Sequence, residues 1–310
     1  MTGYGDGPGI ARIEVPVDTR APGGTTNAYV VDGLLVDPAA RTDALDAAVG
    51  VGGAAVGVGD AAVDVTDAAA EVANALEPAA EGVDAIAVTH THPDHVGAVA
   101  EYADLMDATV FAHAAHVDRF VAAAGVEPDG VFDGGERVGD TGVRAVATPG
   151  HAADHVAFAV EERGEVRSDD RTGSQALLCG DLAVAEGSVV VGGPDADLRA
   201  YLDSLERVRD AGYERLLPGH GPPISDPAET CQRLIGHRLA RERTVLAAVE
   251  GGASDVDAVV DAAYEKDLTG VEDLARATVV AHLKKLLTEG RIGPVWTERI
   301  GSTRTERTDE

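Results

Sequence analysis

Thr89-His90-Thr91-His92-Pro93-Asp94-His95 follows directly on the apolar run Ala85-Ile86-Ala87-Val88. Four small apolar side chains in a row read as a short buried strand. A strand that stops in a loop presents the residues just beyond it on a rigid support. Here those residues are three imidazoles and a carboxylate. Imidazole nitrogen and carboxylate oxygen suit zinc and similar divalent ions, and a catalytic ion must keep one position for water. His90, His92, Asp94 and His95 are therefore read as the start of a metal centre.

The remaining ligands are expected at other strand ends. Val146-Ala147-Thr148-Pro149-Gly150-His151, Leu177-Leu178-Cys179-Gly180-Asp181 and Leu216-Leu217-Pro218-Gly219-His220-Gly221 each carry a polar residue just past an apolar run and beside glycine. His151, Asp181 and His220 are the candidates.

Taken in order, His-x-His-x-Asp-His, Thr-Pro-Gly-His, Gly-Asp and Pro-Gly-His-Gly resemble the motifs of the metallo-β-lactamase-fold superfamily, over most of residues 10–225. The resemblance implies an α/β fold, an αββα four-layer sandwich of two sheets flanked by helices. It implies His90, His92 and His151 on one ion, Asp94, His95 and His220 on a second, and Asp181 bridging both. The cofactors would be two divalent metal ions, zinc first, with manganese or iron as the other options. The flavodiiron branch carries a glutamate where His92 stands here, which speaks against redox iron. A hydroxide bridging two ions would be the nucleophile, and Asp94 would be the catalytic carboxylate that orients it or passes a proton to the leaving group. His155 is expected to contact substrate or to support the ligands. The family's usual Asp-Thr-Gly reads Asp37-Pro38-Ala39 in this chain, and Asp37 is expected to buttress the metal loop. His113, His116, His237 and His282 fall outside the motifs and are read as structural.

Apolar runs at 28–31, 33–36, 83–88 and 143–147 read as strands bounded by Gly, Asp or Pro. Segments 67–76, 97–105 and 196–211 carry helical spacing. No Gly-x-Gly-x-x-Gly follows a strand, so a dinucleotide site is unsupported. Pro222, Pro223 and Pro227 mark a boundary, giving an expected catalytic domain at 1–226 and a second domain at 227–310. Helices are expected there at 228–249, 255–264 and 271–289, the last with Val279, Val280, Leu283, Leu286 and Leu287 on one face and Gly290 at its end. A hairpin formed by 291–298 and the segment after Gly301 would complete a small winged-helix domain.

The stretches Gly236-His237-Arg238-Leu239-Ala240-Arg241-Glu242 and His282-Leu283-Lys284-Lys285-Leu286-Leu287-Thr288-Glu289-Gly290-Arg291-Ile292, with Gly24-Thr25-Thr26-Asn27-Ala28-Tyr29 near the start, resemble the β-lactamase-like protein 2 group. Animal members of that group act as endoribonucleases on single-stranded RNA. The resemblance implies a metal-dependent endoribonuclease or phosphodiesterase, with Lys284, Lys285 and Arg291 contacting phosphates. A thioester hydrolase resembling glyoxalase II is the alternative. A DNA-binding regulator with a sensing hydrolase-like domain is a further one. Expected partners are a small-molecule or single-stranded RNA substrate and no membrane, with a homodimer left open.

Charge bounds these readings. The chain of 310 residues holds 54 acidic against 25 basic side chains, a net charge of −29. Residues 1–227 carry −26 of it and 228–310 only −3, so an anionic partner meets least repulsion at the C-terminal end. Such acidity, with 37 glycines and 4% aromatics, resembles proteins of salt-accumulating haloarchaea. Dense carboxylates keep a chain soluble when high salt screens their repulsion. The start of the chain lacks a basic segment followed by an apolar one, and no apolar run reaches membrane-spanning length. The expected location is a high-salt cytoplasm. Cys179 and Cys231 have no Cys-x-x-Cys spacing and are expected to be small buried thiols.

Overall fold

A computed structural model of the chain describes residues 9–51, 82–161, 174–264 and 268–301. It divides into two compact units, one of residues 1–147, 154–186 and 213–226, the other of 148–153, 187–212 and 227–310.

The first unit is built on two sheets. Six strands, β1 (Ile10–Pro16), β2 (Thr25–Val31), β3 (Leu34–Val36), β4 (Ala85–Ala87), β5 (Thr109–His113) and β6 (Gly130–Phe132), lie side by side in chain order. The first two pairings are antiparallel and the other three parallel. Asp32 and Gly33 close the β2–β3 hairpin, both at positive φ (49° and 77°), the geometry a two-residue turn needs to match strand twist. The second sheet runs β10 (Arg215–Pro218), β9 (Ser174–Gly180), β8 (Val156–Glu161) and β7 (Val143–Ala147). Only its β9–β10 pair is parallel.

Successive strand residues point to opposite faces, and β2 shows what that does here. Ala28 and Val30 join Leu35, Ile86 and Val110 in a core with Leu45, Val99, Tyr102 and Phe120. Those four come from helices α1 (Asp43–Val49), α3 (Val99–Met106) and α4 (Val117–Ala124). Tyr29 and Val31 instead meet Val143, Ala145, Phe158, Leu178 and Leu217 of the second sheet. The first sheet is thus buried on both faces, which requires unbroken apolar runs rather than alternation. Phe132 and Phe158 pack edge to face with centroids 5.7 Å apart. Burying a ring of that size contributes about 1.5–3 kcal/mol, and Phe158→Ala would cost about 3–5 kcal/mol with its cavity.

The one-turn helix α2 (Pro93–Val96) follows β4, with Pro93 in its first turn and His92 as its N-cap. Proline suits that position because its missing N–H would have had no helical partner. Gly97 ends the turn where a Cβ would lie 2.3 Å from the Ala39 carbonyl oxygen, so only glycine lets the chain pass.

The second unit is helical: α5 (Leu198–Ala211), α6 (Pro227–Glu250), α7 (Val256–Ala263), α8 (Glu272–Thr288) and α9 (Trp296–Gly301). Asp197 and Asp255 cap α5 and α7 by accepting from backbone N–H groups of the first turn, worth about 1 kcal/mol each. Val279, Leu283 and Leu286 of the expected apolar face are buried with Val245, Val256, Val259 and Trp296. Gly290, at φ 66°, donates its N–H to Leu287 O as α8 ends.

The first arm of the expected hairpin is not a strand. Residues 291–295 form a turn and Trp296 begins a helix, because Ile292 and the Trp296 indole are drawn into the helical core and Pro294 starts the turn that leads into it. The second arm, and the helix expected at 67–76, lie outside the described residues. Among the described residues no helix is long and apolar enough to cross a membrane.

Candidate metal centre

In the first unit the ends of β4, β9 and β10 bring their loops to one place. His90, His95 and Asp181 offer ligand atoms within 4.8 Å of one another, and so do Asp94, His95 and His220. His92 joins them through its ring, His90 Nε2 lying 2.9 Å from His92 Nδ1. These side chains come from sequence segments up to 130 residues apart, so the strands, not local sequence, assemble them.

Two of the imidazoles are aimed by a partner on the other ring nitrogen. His95 Nδ1 lies 3.0 Å from Asp37 Oδ2, and His220 Nδ1 donates to the Thr25 carbonyl at 2.8 Å. Both therefore turn Nε2 inward, the arrangement that fixes tautomer and ring direction in metal sites. These two Nε2 atoms are buried with no hydrogen-bond partner. They face one carboxylate oxygen, Asp181 Oδ1, at 3.8 and 3.4 Å, and His220 Nε2 is 3.7 Å from Asp94 Oδ2. Leaving buried polar atoms unsatisfied costs about 1–3 kcal/mol each. Convergent imidazole and carboxylate donors fit first-row divalent ions, and a cation would satisfy both nitrogens.

Electrostatics point the same way. Burial alone would hold the His95 imidazole neutral, but the carboxylates of Asp37, Asp181 and Asp94 together outweigh it and raise its pKa to about 9. His220 is also raised, burial opposing and Asp181 prevailing. Three carboxylates around two buried imidazoles favour added positive charge, whether proton or cation.

Asp37 holds the loop that carries the histidines. Its Oδ1 accepts the Thr89 N–H at 2.6 Å and its Oδ2 the Thr89 hydroxyl at 2.8 Å. It sits at φ 54°, an uncommon conformation for a residue other than glycine. The turn beyond it closes despite the Pro38-Ala39 sequence, Pro38 O accepting the Ala98 N–H at 2.9 Å. His155 lies behind Asp181, whose backbone N–H donates to His155 Nε2 at 3.1 Å. It supports Asp181 from the rear.

His151 stands in the loop 148–153 of the second unit, its Nδ1 donating to Val190 O at 2.8 Å. Of the side chains expected to touch phosphates, Lys284 is exposed. Lys285 and Arg291 close on buried Glu242 at 2.7 Å each. Lys285 also pairs with Glu289 at 2.9 Å.

Sequence reasoning missed four supporting residues. Asn27 Nδ2 donates to Pro218 O and Gly221 O at 2.8 Å, and Tyr29 OH to Pro218 O at 2.7 Å, holding the turn that carries His220. Asp154 and Arg119 hold Thr91. Asn27 and Tyr29 lie in the stretch Gly24-Thr25-Thr26-Asn27-Ala28-Tyr29, the signal that could have found them.

The model of the metallo-β-lactamase superfamily matches residues 21–220. A β-lactamase-like protein 2 homolog of Caenorhabditis elegans is 32% identical over 170 residues, 53% of this chain and 51% of its own. An atrochrysone carboxyl ACP thioesterase of Aspergillus chevalieri is 32% identical over 170 residues, 53% of this chain and 47% of its own. The chain thus spans about half the length of each of these relatives. A metallo-β-lactamase family protein of Thermus thermophilus has a similar structure, with a TM-score of 0.65 at 25% identity, covering 92% of this chain and 95% of its own.

Proposed function

Since this chain belongs to the metallo-β-lactamase superfamily, we propose that it hydrolyses thioesters with the help of two divalent ions, zinc in the first instance. His90 and His92 would hold one ion and Asp94, His95 and His220 the other, with Asp181 a ligand near both. When bound, the ions supply Lewis acidity, which activates water at neutral pH and polarises the substrate carbonyl. Asp37 and the Thr25 carbonyl keep His95 and His220 in the tautomer that presents Nε2. Asp94, with a side chain 17% exposed, would take at a carboxylate oxygen the proton that the attacking water gives up. The thiolate then leaves without needing that proton, because a thiol titrates at roughly pH 8–9.

The observation that carries thioesters over RNA is the fate of the cations in the second unit. Two of the three side chains suited to phosphate, Lys285 and Arg291, are taken up by Glu242. A phosphodiester would have to approach a chain of net charge −29 with little to offset it. The relative named as a thioesterase supports the same substrate class.

The test is a screen of zinc- or manganese-reconstituted protein in molar salt. Its substrates are acyl thioesters of pantetheine, coenzyme A and glutathione, beside an unstructured RNA. Thiol release is expected, with the RNA intact, and Asp94→Ala and His95→Ala abolish it. Cut RNA with every thioester untouched would instead establish the phosphodiesterase reading.

A further inference from the structure

We infer that Asp154, together with Arg119, is a positioning pair for the metal loop, the counterpart on Thr91 of what Asp37 is on Thr89. The inference rests on the reading of His90 and His92 as metal ligands. In Thr89-His90-Thr91-His92 the two threonines alternate with the two imidazoles. Asp37 grips the first threonine by its N–H and its hydroxyl. The second is gripped by the same two atoms. Asp154 Oδ2 accepts the Thr91 N–H at 2.9 Å, and Arg119 Nε donates to the Thr91 hydroxyl at 2.7 Å.

The two grips differ in how they handle charge. Asp37 faces His95 at 3.0 Å, so its negative charge belongs to the metal centre itself. Asp154 is 3% exposed and its Oδ1 faces Arg119 Nε at 3.2 Å. A buried carboxylate needs such a partner. Arg119 comes from α4, so the pair ties that helix to the loop and to the start of β8. Two residues after Asp154, Val156 N–H donates to Thr89 O at 2.8 Å, so both threonines are seated on the segment that enters β8.

With its backbone held on both sides of His90, the loop cannot rotate its imidazoles away from the ion. Partners of this kind typically change metal affinity about 10–100-fold when lost. Asp154 acts through Thr91 and touches no reacting atom.

The experiment measures zinc stoichiometry and affinity by chelator competition on the full chain, and the visible spectrum of the cobalt(II) form, for the wild type and three variants. Asp154→Ala is expected to weaken one of the two ions about 10–100-fold and to shift the cobalt bands. Asp154→Asn keeps an oxygen for the Thr91 N–H and is expected to restore affinity to within about fivefold. Asp129→Ala removes an exposed carboxylate that also accepts a backbone N–H, that of Val110 at 2.9 Å, away from the metal loop, and is expected to leave both ions unchanged. Thermal unfolding of the metal-free proteins shows which variants fold. Should Asp154→Ala bind both ions with wild-type affinity and spectrum, or lose no more than Asp129→Ala, the positioning role is overturned while the metal centre stands. A wild type that takes up no ion overturns the metal reading itself, and this inference with it.

Discussion

Replacing Gly180 with alanine tests the geometry behind the metal centre more directly than removing a ligand does. Gly180 sits at φ 47°, and a Cβ there would lie 2.7 Å from Thr89 Oγ1 and 2.8 Å from His155 Nε2. The left-handed backbone alone costs an alanine about 1–2 kcal/mol. Forcing the two neighbours apart adds about 1–3 kcal/mol, the usual range for overpacking. The expected loss is therefore about 2–5 kcal/mol. Gly125→Ala separates the two contributions, since Gly125 has φ 72° with nothing within 4 Å and should show only the backbone cost. Urea unfolding of both metal-free variants gives the difference, expected at about 1–3 kcal/mol. A second consequence is functional. Because His155 Nε2 accepts the Asp181 N–H, displacing that ring moves a ligand, and zinc affinity should fall with stability in Gly180→Ala alone. Equal destabilisation of the two variants, or full zinc affinity in Gly180→Ala, would refute the close packing behind Asp181.

Three further outcomes follow from named contacts. Asp37→Asn should weaken zinc about 10–100-fold in chelator competition, because one side chain aims His95 and seats Thr89; unchanged affinity would remove it from the centre. The His282 imidazole, fully buried, is pushed down to about 3 by burial first and then by Arg238, Arg241 and Lys285. With an unfolded pKa near about 6.5, the unfolded chain takes up the proton first, so this penalty is absent above that pH and grows by about 1.4 kcal/mol per unit as pH falls toward 3. His282→Leu should flatten the loss of stability between those limits, and an acid dependence identical to wild type would contradict it. Glu242→Gln removes the charge that faces Lys285, which keeps Glu289, and the partly exposed Arg291, and should cost about 1–3 kcal/mol in urea unfolding. A loss under about 1 kcal/mol would mean that the pairs are not held as described.

The metal centre was legible because its residues sit at strand ends, where an apolar run, a glycine and a polar residue stand in fixed order. Ala85-Ile86-Ala87-Val88 before His90 and Leu216-Leu217 before His220 needed no knowledge of what lay across the sheet. The supports were illegible for the opposite reason. Asn27 holds Pro218 O across 191 residues, and Asp154 holds Thr91 across 63, with no local pattern that announces either bond. In His-Ala-Ala-Asp-His the eye rests on the histidines, yet Asp154 is as deeply buried as His155. The helical end failed differently. Residues 291–298 read as one arm of a hairpin, but Ile292 and Trp296 are buried in the helical core with Val245, Val256 and Leu286.

Where β9 and β10 end, the backbones of their two loops touch: Gly219 N–H donates to Gly180 O at 3.0 Å, and a Cβ on Gly219 would lie 2.8 Å from His95 Cε1 and 2.9 Å from Asp181 Oδ1. Anyone grafting loops between homologous chains would have to move these two as a single cassette, because either one set against a foreign neighbour loses its glycine contact and its ligand together. Recombination libraries with a crossover between residues 181 and 219 should be depleted of metal-binding clones.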